Sequence, residues 1–190
     1  GDGILDTNDT SDEENRRLLA ITLLKEYIDN NFLNVKVIML GDLNDNLTDP
    51  IINNVFNQFI EDGTNYLFTD MQIAQGNSNN WSYPSWPSHL DHILINSKLF
   101  VDFQNPNSSI NVLRVDDYMG SWSNYDNNVS DHRPIGLKLE LSRTNNIKIE
   151  DLKKKKIIKI IDALGREVNK DKKGLLFYIF ESGKVKKIIN

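Results

Sequence analysis

The order in which helical and strand periods of hydrophobic residues follow one another limits the folds open to this chain. A capping-box pattern at Ser11 and Glu14, followed by apolar residues at helical spacing, predicts a helix over residues 12–30. A second helix is predicted from the Asp49-Pro50 pair onward, with an apolar face formed by Ile52, Val55, Phe56 and Phe59. Helices that alternate with mostly apolar strands indicate an α/β layered architecture. Short apolar runs predict strands over residues 35–40, 90–96 and 110–115, and strict alternation of apolar with other residues predicts a fourth strand over residues 135–141.

Charge divides the chain into two segments of different character. Residues 1–144 hold 9 Lys and Arg against 21 Asp and Glu, a net charge of −12, whereas residues 145–190 hold 13 against 6, a net charge of +7. A difference of this size predicts two units with different roles. We place the first unit at residues 1–142, a polar linker at 143–146 and the second unit at 147–190.

The second unit contains only short strand patterns. Strands are predicted over residues 153–162, 174–181 and 185–190, with turn-forming sequences between them. The unit is therefore predicted to be a small all-β meander.

Composition excludes several kinds of site. The chain has no cysteine, so it has neither disulfides nor thiolate metal sites. No apolar run approaches the roughly 18 residues that a membrane-spanning helix needs, so no transmembrane segment is predicted. The acidic first unit argues against binding a polyanion through a basic surface alone. If the substrate is a phosphate ester, a metal cation must supply the positive charge.

Polar clusters lie at the mouths of three predicted strands, where α/β folds build their sites. Asp42 and Asn44 follow the first strand, and a carboxylate with an amide can activate a water and hold a phosphoryl oxygen. Asp91 begins the second strand and could fix the tautomer of His132, which precedes the last strand. Asp131 then remains to hold a hard divalent cation.

Each cluster taken alone also fits a purely structural role. "GDLND" could be an Asx turn, "LDH" a half-exposed strand entrance, and "SDHRP" a turn in which Arg133 pairs with a carboxylate. Three such clusters, all at strand ends, are harder to explain as turns, and together they favour a functional site.

The donor set favours Mg²⁺, Mn²⁺ or Ca²⁺ over zinc, because it is rich in Asp and free of cysteine. A zinc site is the weaker alternative, built from His89, His92 and His132. The acidic loop at residues 6–17 alternates like an EF-hand calcium loop. Ser11 and Arg17 stand where such a loop requires Gly and Glu, which favours a solvated loop.

The loop at residues 76–89 carries three aromatic residues, Trp81, Tyr83 and Trp86. They could stack on a substrate. Packing over the sheet edge is the favoured interpretation, with two prolines stiffening the loop.

Three motifs in order, "VIMLGDLND", "SHLDHILIN" and "VSDHRPIGLKL", resemble the last three motifs of the endonuclease/exonuclease/phosphatase superfamily, which has the deoxyribonuclease I-like fold. The resemblance covers residues 1–141 and implies a partial layered β-sandwich flanked by helices. It implies a metal-dependent phosphodiester hydrolase, with an exported nuclease preferred. A same-fold phosphomonoesterase or sphingomyelinase-like lipid phosphodiesterase is one alternative, and a non-catalytic cell-surface binding module is another.

The resemblance also implies a role for each motif residue. Asp42 would be the general base that aligns the attacking water, and Asn44 would bind the scissile phosphate of a nucleic acid or other phosphodiester. Asp91 would orient His132, which would stabilise the transition state or protonate the leaving oxygen. Asp131 would bind or orient the metal, Mg²⁺ or else Mn²⁺ or Ca²⁺.

One departure from the family pattern concerns its first half. There the family carries an Asn, a metal-binding Glu and a further catalytic His, on strands that precede the helix at residues 12–30, and none of them is present here. The chain opens in polar sequence and resembles the C-terminal half of such an enzyme. We therefore expect this polypeptide alone to have little or no activity. The resemblance gives no role to His89 or His92.

The basic tail has a resemblance of its own. "IIKIIDALGREV" and "GLLFYIFESGKVKKIIN" resemble the type A C-terminal sorting domain of the type IX secretion system in Bacteroidetes, over residues 147–190. The resemblance implies an exported protein that the type IX machinery recognises and that ends up secreted or at the cell surface. A generic basic β-meander is the alternative.

Overall fold

The computed structural model describes residues 3–32, 34–141, 156–181 and 183–190. The chain forms two compact units, Gly1–Ser142 and Arg143–Asn190. Within the described residues the protein is mixed α/β, with six helices and three small antiparallel sheets. None of the described helices has the length and hydropathy to cross a membrane. The deoxyribonuclease I-like sandwich stays a prediction.

The first unit contains helices and five strands within its described residues. The helices are α1 (Glu13–Asn31), α2 (Asn57–Ile60), α3 (Met71–Ala74), α4 (Phe100–Phe103), α5 (Val115–Tyr118) and α6 (Trp122–Asn128), with short 3-10 turns at Ser78–Asn80 and Ser97–Leu99. The strands are β1 (Ile38–Asp42), β2 (Tyr66–Phe68), β3 (Asp91–Asn96), β4 (Ser109–Val112) and β5 (Ile135–Lys138). The first predicted helix is confirmed as α1. The four strands predicted in this unit are confirmed as β1, β3, β4 and β5, with shifted ends.

β3 is the central strand of the first sheet, whose order is β1-β3-β2 with antiparallel pairs. Five of its six residues are buried, which explains its nearly continuous apolar sequence. The register places Asp42, the last residue of β1, opposite Asp91, the first residue of β3. β4 and β5 form a second antiparallel pair that sets Val112 opposite Ile135. The register of β1 and β3 therefore brings the "GDLND" and "LDH" motifs together.

α1 begins at a different cap from the one that the sequence pattern predicts. The carboxylate of Asp12, and not the hydroxyl of Ser11, accepts a hydrogen bond from the backbone N–H of Asn15, at 2.6 Å. Ile21 and Ile28 of this helix are buried in the main hydrophobic core. The other buried members of that core come from the segment after β1 and from later elements: Leu47, Val55, Phe56, Phe59, Tyr66, Phe68, Ala74 and Leu94.

The loop before α1 consists of local turns. Asp6 Oδ1 accepts a hydrogen bond from the N–H of Asn8 at 2.9 Å, and Asp9 Oδ1 accepts one from the N–H of Ser11 at 2.8 Å. These four residues are exposed, as expected of a solvated loop.

The second predicted helix is wrong over residues 50–56, where the chain makes turns and only the short α2 follows. The side chain of Asn54 contributes to the difference, because it takes the N–H of Phe56, which a helix would pair with the carbonyl of Ile52. Its Nδ2 donates to the carbonyl of Leu47 at 2.9 Å, and its Oδ1 accepts from the N–H of Phe56 at 2.8 Å. Ile52, expected on the buried face, is exposed.

The first unit exposes apolar side chains in rows on two of its elements. Leu19, Leu23 and Tyr27 follow one another at four-residue spacing along α1, and all three are more than half exposed. On the edge strand β1, Leu40 is 66% exposed and Ile38 is 45% exposed. Isolated apolar side chains are normal on a surface, whereas rows of them are typical of contact surfaces.

The second unit is an antiparallel meander within its described residues, as predicted. Its strands are β6 (Ile157–Asp162), β7 (Leu175–Phe180) and β8 (Val185–Ile189), in the order β6-β7-β8. Leu176 and Phe180 of the central strand are buried. The predicted linker at 143–146 and the predicted first residues of β6 at 153–155 lie outside the described residues.

Asp162, in the "IDALGRE" turn, fixes the conformation of the connection between β6 and β7. Its Oδ1 accepts from the N–H groups of Leu164 and Arg166 at 3.0 and 3.1 Å. Its Oδ2 accepts from the side chains of Arg166 and Lys172 at 2.9 and 2.8 Å. Hydrogen bonds from Lys172 and Arg166 hold the pKa of the Asp162 carboxyl well below its usual range.

Candidate active site

Asp91 and His132 form the centre of the candidate site. His132 Nδ1 lies 2.7 Å from Asp91 Oδ2, although the two residues are 41 positions apart in sequence. A carboxylate can only accept, so the Nδ1 proton resides on His132, and Nε2 is the nitrogen that can give or take a proton. Both side chains are about one-fifth exposed, at 18% for Asp91 and 21% for His132. The pair therefore has the arrangement of an oriented acid–base histidine.

The backbone around His132 is held in place by its neighbours. The hydroxyl of Tyr125, on α6, donates to the carbonyl of His132 at 3.0 Å. The N–H of His132 donates to Ser130 Oγ at 3.0 Å. The "SDHRP" segment is thus a defined turn that presents the imidazole at the entrance of β5.

The aromatic loop contributes directly to this site. The ring of Tyr83 stacks on the ring of His132, with centroids 4.8 Å apart and planes 28° apart. Packing, the favoured interpretation of the loop, holds for Trp81, whose Nε1 donates to the carbonyl of Ile73 at 3.0 Å. It is wrong for Trp86, which is 76% exposed.

Arg133 anchors the other side of the turn. Its Nη2 and Nε donate to Asp116 Oδ2 at 2.7 and 3.2 Å, and its Nη1 donates to the carbonyl of Asn79 at 3.0 Å. Burial would raise the pKa of Asp116, but the hydrogen bonds from Arg133 and Arg114 outweigh it and lower that pKa. The guanidinium also lies over the ring of Trp122, 5.1 Å from its centroid. Arg133 therefore has the carboxylate partner that the turn interpretation expects.

Asp42 and Asn44 form an Asx turn at the end of β1. Asp42 Oδ1 accepts a hydrogen bond from the N–H of Asn44 at 2.9 Å, and Asn44 has a left-handed backbone with φ of 56°. Asn adopts this conformation more readily than most residues. Both side chains are exposed, and the Asn44 amide group has no hydrogen-bond partner within the described part of the chain. The turn and a role in catalysis are therefore compatible.

Asp131 stands apart from this group of side chains. It is exposed, directly precedes His132, and has no side-chain partner among the described residues. Compact groups of three ligand side chains do occur in the described residues, but none combines Asp131 with Asp42 or Asp91. The structure thus brings Asp42, Asp91 and His132 to one place, whereas Asp131, the residue before His132, is a solvated carboxylate outside that group.

Comparisons with known proteins do not assign this arrangement. No family model matches the chain, and no curated protein or solved structure matches it either.

A second cluster of ionisable residues lies buried beneath the candidate site. Asp70, His89 and His92 form a buried group that could hold a metal ion, with ligand atoms within 4.8 Å of one another. His132 is not a member of this group, so the described residues do not form the alternative zinc site of His89, His92 and His132. Asp70, the residue just before α3, had no motif to mark it in the sequence.

Hydrogen bonds assign protons within this buried group. Asp70 Oδ2 lies 2.7 Å from His92 Nδ1 and 3.1 Å from His89 Nε2. His92 Nε2 lies 2.8 Å from the carbonyl of Asp45, so both nitrogens of this ring face acceptors and both carry protons. The N–H of Ser82 donates to His89 Nδ1 at 3.3 Å, which places the single proton of that ring on Nε2.

The charge of Asp70 follows from these contacts. Burial alone would raise the pKa of its carboxyl, but hydrogen bonds from His89 and His92 and the charge of His92 lower the pKa to about 2. The three residues therefore form a closed hydrogen-bond network whose protons occupy the same nitrogen atoms that a metal would need.

Proposed function

We propose that the first unit is the acid–base half of a metal-dependent phosphodiester hydrolase, a nuclease in preference to other phosphoesterases. The observation that carries the proposal is the contact between Asp91 and His132, with Asp42 opposite Asp91 across the sheet. Three segments far apart in sequence supply these side chains. A turn or a strand entrance does not require them to meet, which disfavours a binding module without catalysis.

The geometry suggests how these residues would act on a phosphodiester. Asp42 would accept a proton from the attacking water through the carboxylate, while the amide of Asn44 donates a hydrogen bond to a non-bridging phosphoryl oxygen. Asp91 keeps the proton of His132 on Nδ1. A protonated Nε2 would then stabilise the charge that develops on the phosphoryl group, or hand its proton to the leaving oxygen.

The residues fit a hard divalent cation in kind. Asp131 offers an exposed carboxylate without a partner among the described residues, and Mg²⁺ commonly takes one or two protein carboxylates and keeps several waters. Asp131 would hold Mg²⁺, or else Mn²⁺ or Ca²⁺. When bound, the ion supplies positive charge to the phosphoryl oxygens, which suits a segment with a net charge of −12 over residues 1–144.

We propose further that catalysis needs the metal-binding Glu and the second His that the family resemblance places before α1. The exposed apolar rows on α1 and β1 support this part of the proposal, because another layer of structure could cover them. The 190-residue chain alone then holds one side of the site and turns over little or no substrate.

Hydrolysis assays test the proposal. With Mg²⁺, the full-length gene product is expected to cleave plasmid DNA, and EDTA should abolish the cleavage. The 190-residue chain alone should show little or no turnover under the same conditions, because it lacks the second His and the Glu. RNA, a phosphomonoester and sphingomyelin, assayed in parallel, separate the nuclease from the same-fold alternatives.

Two outcomes would count against the proposal. Mg²⁺-dependent cleavage by the purified 190-residue chain would contradict the division of the site into two halves. A full-length product that cleaves none of these esters would contradict the enzyme itself and favour a cell-surface binding module.

We propose that the second unit is a type A sorting domain, read by the type IX secretion machinery, and that the protein is secreted or held at the cell surface. The three-stranded meander and the turn organised by Asp162 support this proposal. Export, in place of nucleic-acid binding, would then account for the net charge of +7 over residues 145–190.

A reporter fusion tests the sorting proposal. Residues 143–190, fused behind a periplasmic reporter in a bacterium with type IX secretion, should carry the reporter to the surface or the medium. Asp162→Ala should reduce export, because it removes the acceptor for four donors in the turn. Asp171→Ala, with the same loss of charge in the same connection, is the control. Retention of the unmodified fusion in the periplasm would contradict the proposal.

A further inference from the structure

Ser82 is fully buried and joins the two segments that carry the Asp91–His132 pair. Its Oγ accepts hydrogen bonds from the N–H groups of Leu90 and Asp91, at 3.1 and 3.2 Å. Its carbonyl accepts the N–H of Arg133, the residue after His132, at 2.7 Å. A single residue therefore fixes the backbone at Asp91 and the backbone next to His132.

Tyr83 completes the same arrangement from the side of the ring. Its side chain stacks on His132 at a centroid distance of 4.8 Å. Its own backbone is fixed by two hydrogen bonds with Ser88, at 3.0 and 3.1 Å, which close a short hairpin. The ring that lies against His132 is thus presented by a closed piece of backbone.

We propose that Ser82 and Tyr83 are positioning residues for His132. The imidazole has one hydrogen bond within the described residues, from Nδ1 to Asp91. A ring flip, or a small displacement of Asp91, would exchange the roles of the two nitrogens. Ser82 prevents the displacement by holding both backbones, and Tyr83 restricts the ring plane. The effect on turnover rests on the proposed function, but the effect on the ring does not.

Imidazole ¹⁵N NMR of the 190-residue chain tests the proposal without any assay of activity. The chain has three histidines, so the spectrum is small, and His132→Gln assigns the signal of interest. In the unmodified chain His132 should be a single tautomer with its proton on Nδ1. In Ser82→Ala and in Tyr83→Leu, the His132 signals should shift toward a mixture of tautomers, at a temperature well below melting.

Ser85→Ala is the matched control. It removes a hydroxyl from the same hairpin, one that is exposed and accepts a hydrogen bond from Trp122 Nε1 at 3.2 Å. Its His132 signals should equal those of the unmodified chain. Unchanged His132 signals in both Ser82→Ala and Tyr83→Leu would overturn the proposal, as would an equal change in Ser85→Ala. If Ser82→Ala does not fold, Tyr83→Leu decides alone, because the tyrosine is only partly buried.

Turnover of the full-length product gives the second readout. Ser82→Ala should lower kcat by about 10- to 100-fold with little change in KM, as for other residues that orient a functional side chain. If the NMR signals change while His132→Gln leaves turnover normal, then the positioning is real and the proposed function is wrong. If His132→Gln abolishes turnover while the NMR signals stay unchanged, then the proposed function stands and the positioning role is wrong.

Discussion

Replacing His132 by alanine is expected to lower kcat of the full-length product on a phosphodiester by about 10²- to 10⁴-fold, the contribution that a positioned acid–base side chain typically makes. The reason is that Asp91 holds the ring with Nε2 available, and neither of the other two histidines of the 190-residue chain can take its place. His89 and His92 are buried in hydrogen bonds to Asp70. Steady-state kinetics on the purified variant measures the effect.

The same variant should remain folded. The His132 side chain contacts Asp91 and the ring of Tyr83, and none of these three residues belongs to the main hydrophobic core, so its removal leaves that core intact. Thermal unfolding followed by tryptophan fluorescence checks this, because the three tryptophans all lie in the first unit. Tyr118→Ala removes an exposed ring on α5 and should leave turnover unchanged. Near-normal turnover in a folded His132→Ala variant would exclude His132 from the chemistry.

The sequence predicted much of the candidate site because its residues follow from local patterns. Asp42, Asp91 and His132 stand at the ends of strands whose apolar runs identify them, and the need of a histidine for a carboxylate pointed to Asp91. The register of β1 and β3 then brings Asp42 opposite Asp91. The local pattern was enough to predict Asp42 and Asp91, because the antiparallel pairing of β1 with β3 brings the two strand ends together.

The supporting residues were missed because their contacts are long-range and leave no periodic signal. Asp70 contacts His89 and His92, which lie 19 and 22 positions later in the chain. Ser82 has the composition of any loop residue, and its role depends on hydrogen bonds to Leu90, Asp91 and Arg133.

The helix predicted after Asp49 does not form over residues 50–56, and the reason is local. The pattern of apolar residues predicts burial correctly for Phe56 and Phe59, which are in the core, but not for Ile52, which is exposed. The side chain of Asn54 competes with the backbone for hydrogen bonds, and hydrophobic periodicity does not report that competition. Burial could therefore be predicted toward the end of this segment, while its secondary structure could not.

Replacing Asp70 by asparagine is expected to destabilise the first unit by about 3–5 kcal/mol, the usual effect of removing one partner from a buried charge pair. Asp70 is fully buried and accepts hydrogen bonds from both histidines and from the N–H of Ile93, at 2.8 Å. The asparagine keeps the shape, but its NH₂ group faces an N–H donor. It also removes the negative charge that opposes the charge of the His92 ring. Urea unfolding, followed by tryptophan fluorescence, measures the loss.

Asp131→Asn is the matched control, because it makes the same change at an exposed carboxylate. Its free energy of unfolding should stay within about 0.5 kcal/mol of the unmodified chain, as is usual for surface substitutions. An Asp70→Asn variant as stable as this control would show that the buried network contributes nothing.

The pKa of Asp70 gives the prediction a pH dependence. Because the folded-state pKa is lowered to about 2, the unfolded chain binds more protons than the folded chain at pH values just above that. The stabilisation from Asp70 is therefore fully present above about pH 4, the ordinary range for an aspartate, and is lost as the pH falls toward 2. The Asp70→Asn variant should lack this part of the acid dependence.

Chelation distinguishes the hydrogen-bond network from a metal site in the same three residues. The protons assigned to His89 Nε2 and His92 Nδ1 occupy the positions where a metal would bind. The melting temperature of the unmodified chain should therefore be the same in EDTA and after addition of Zn²⁺. A melting temperature that falls in EDTA and returns with Zn²⁺ would mean that the ion replaces those protons. Asp70→Asn should then lose the response to Zn²⁺, since a carboxylate ligand would be missing.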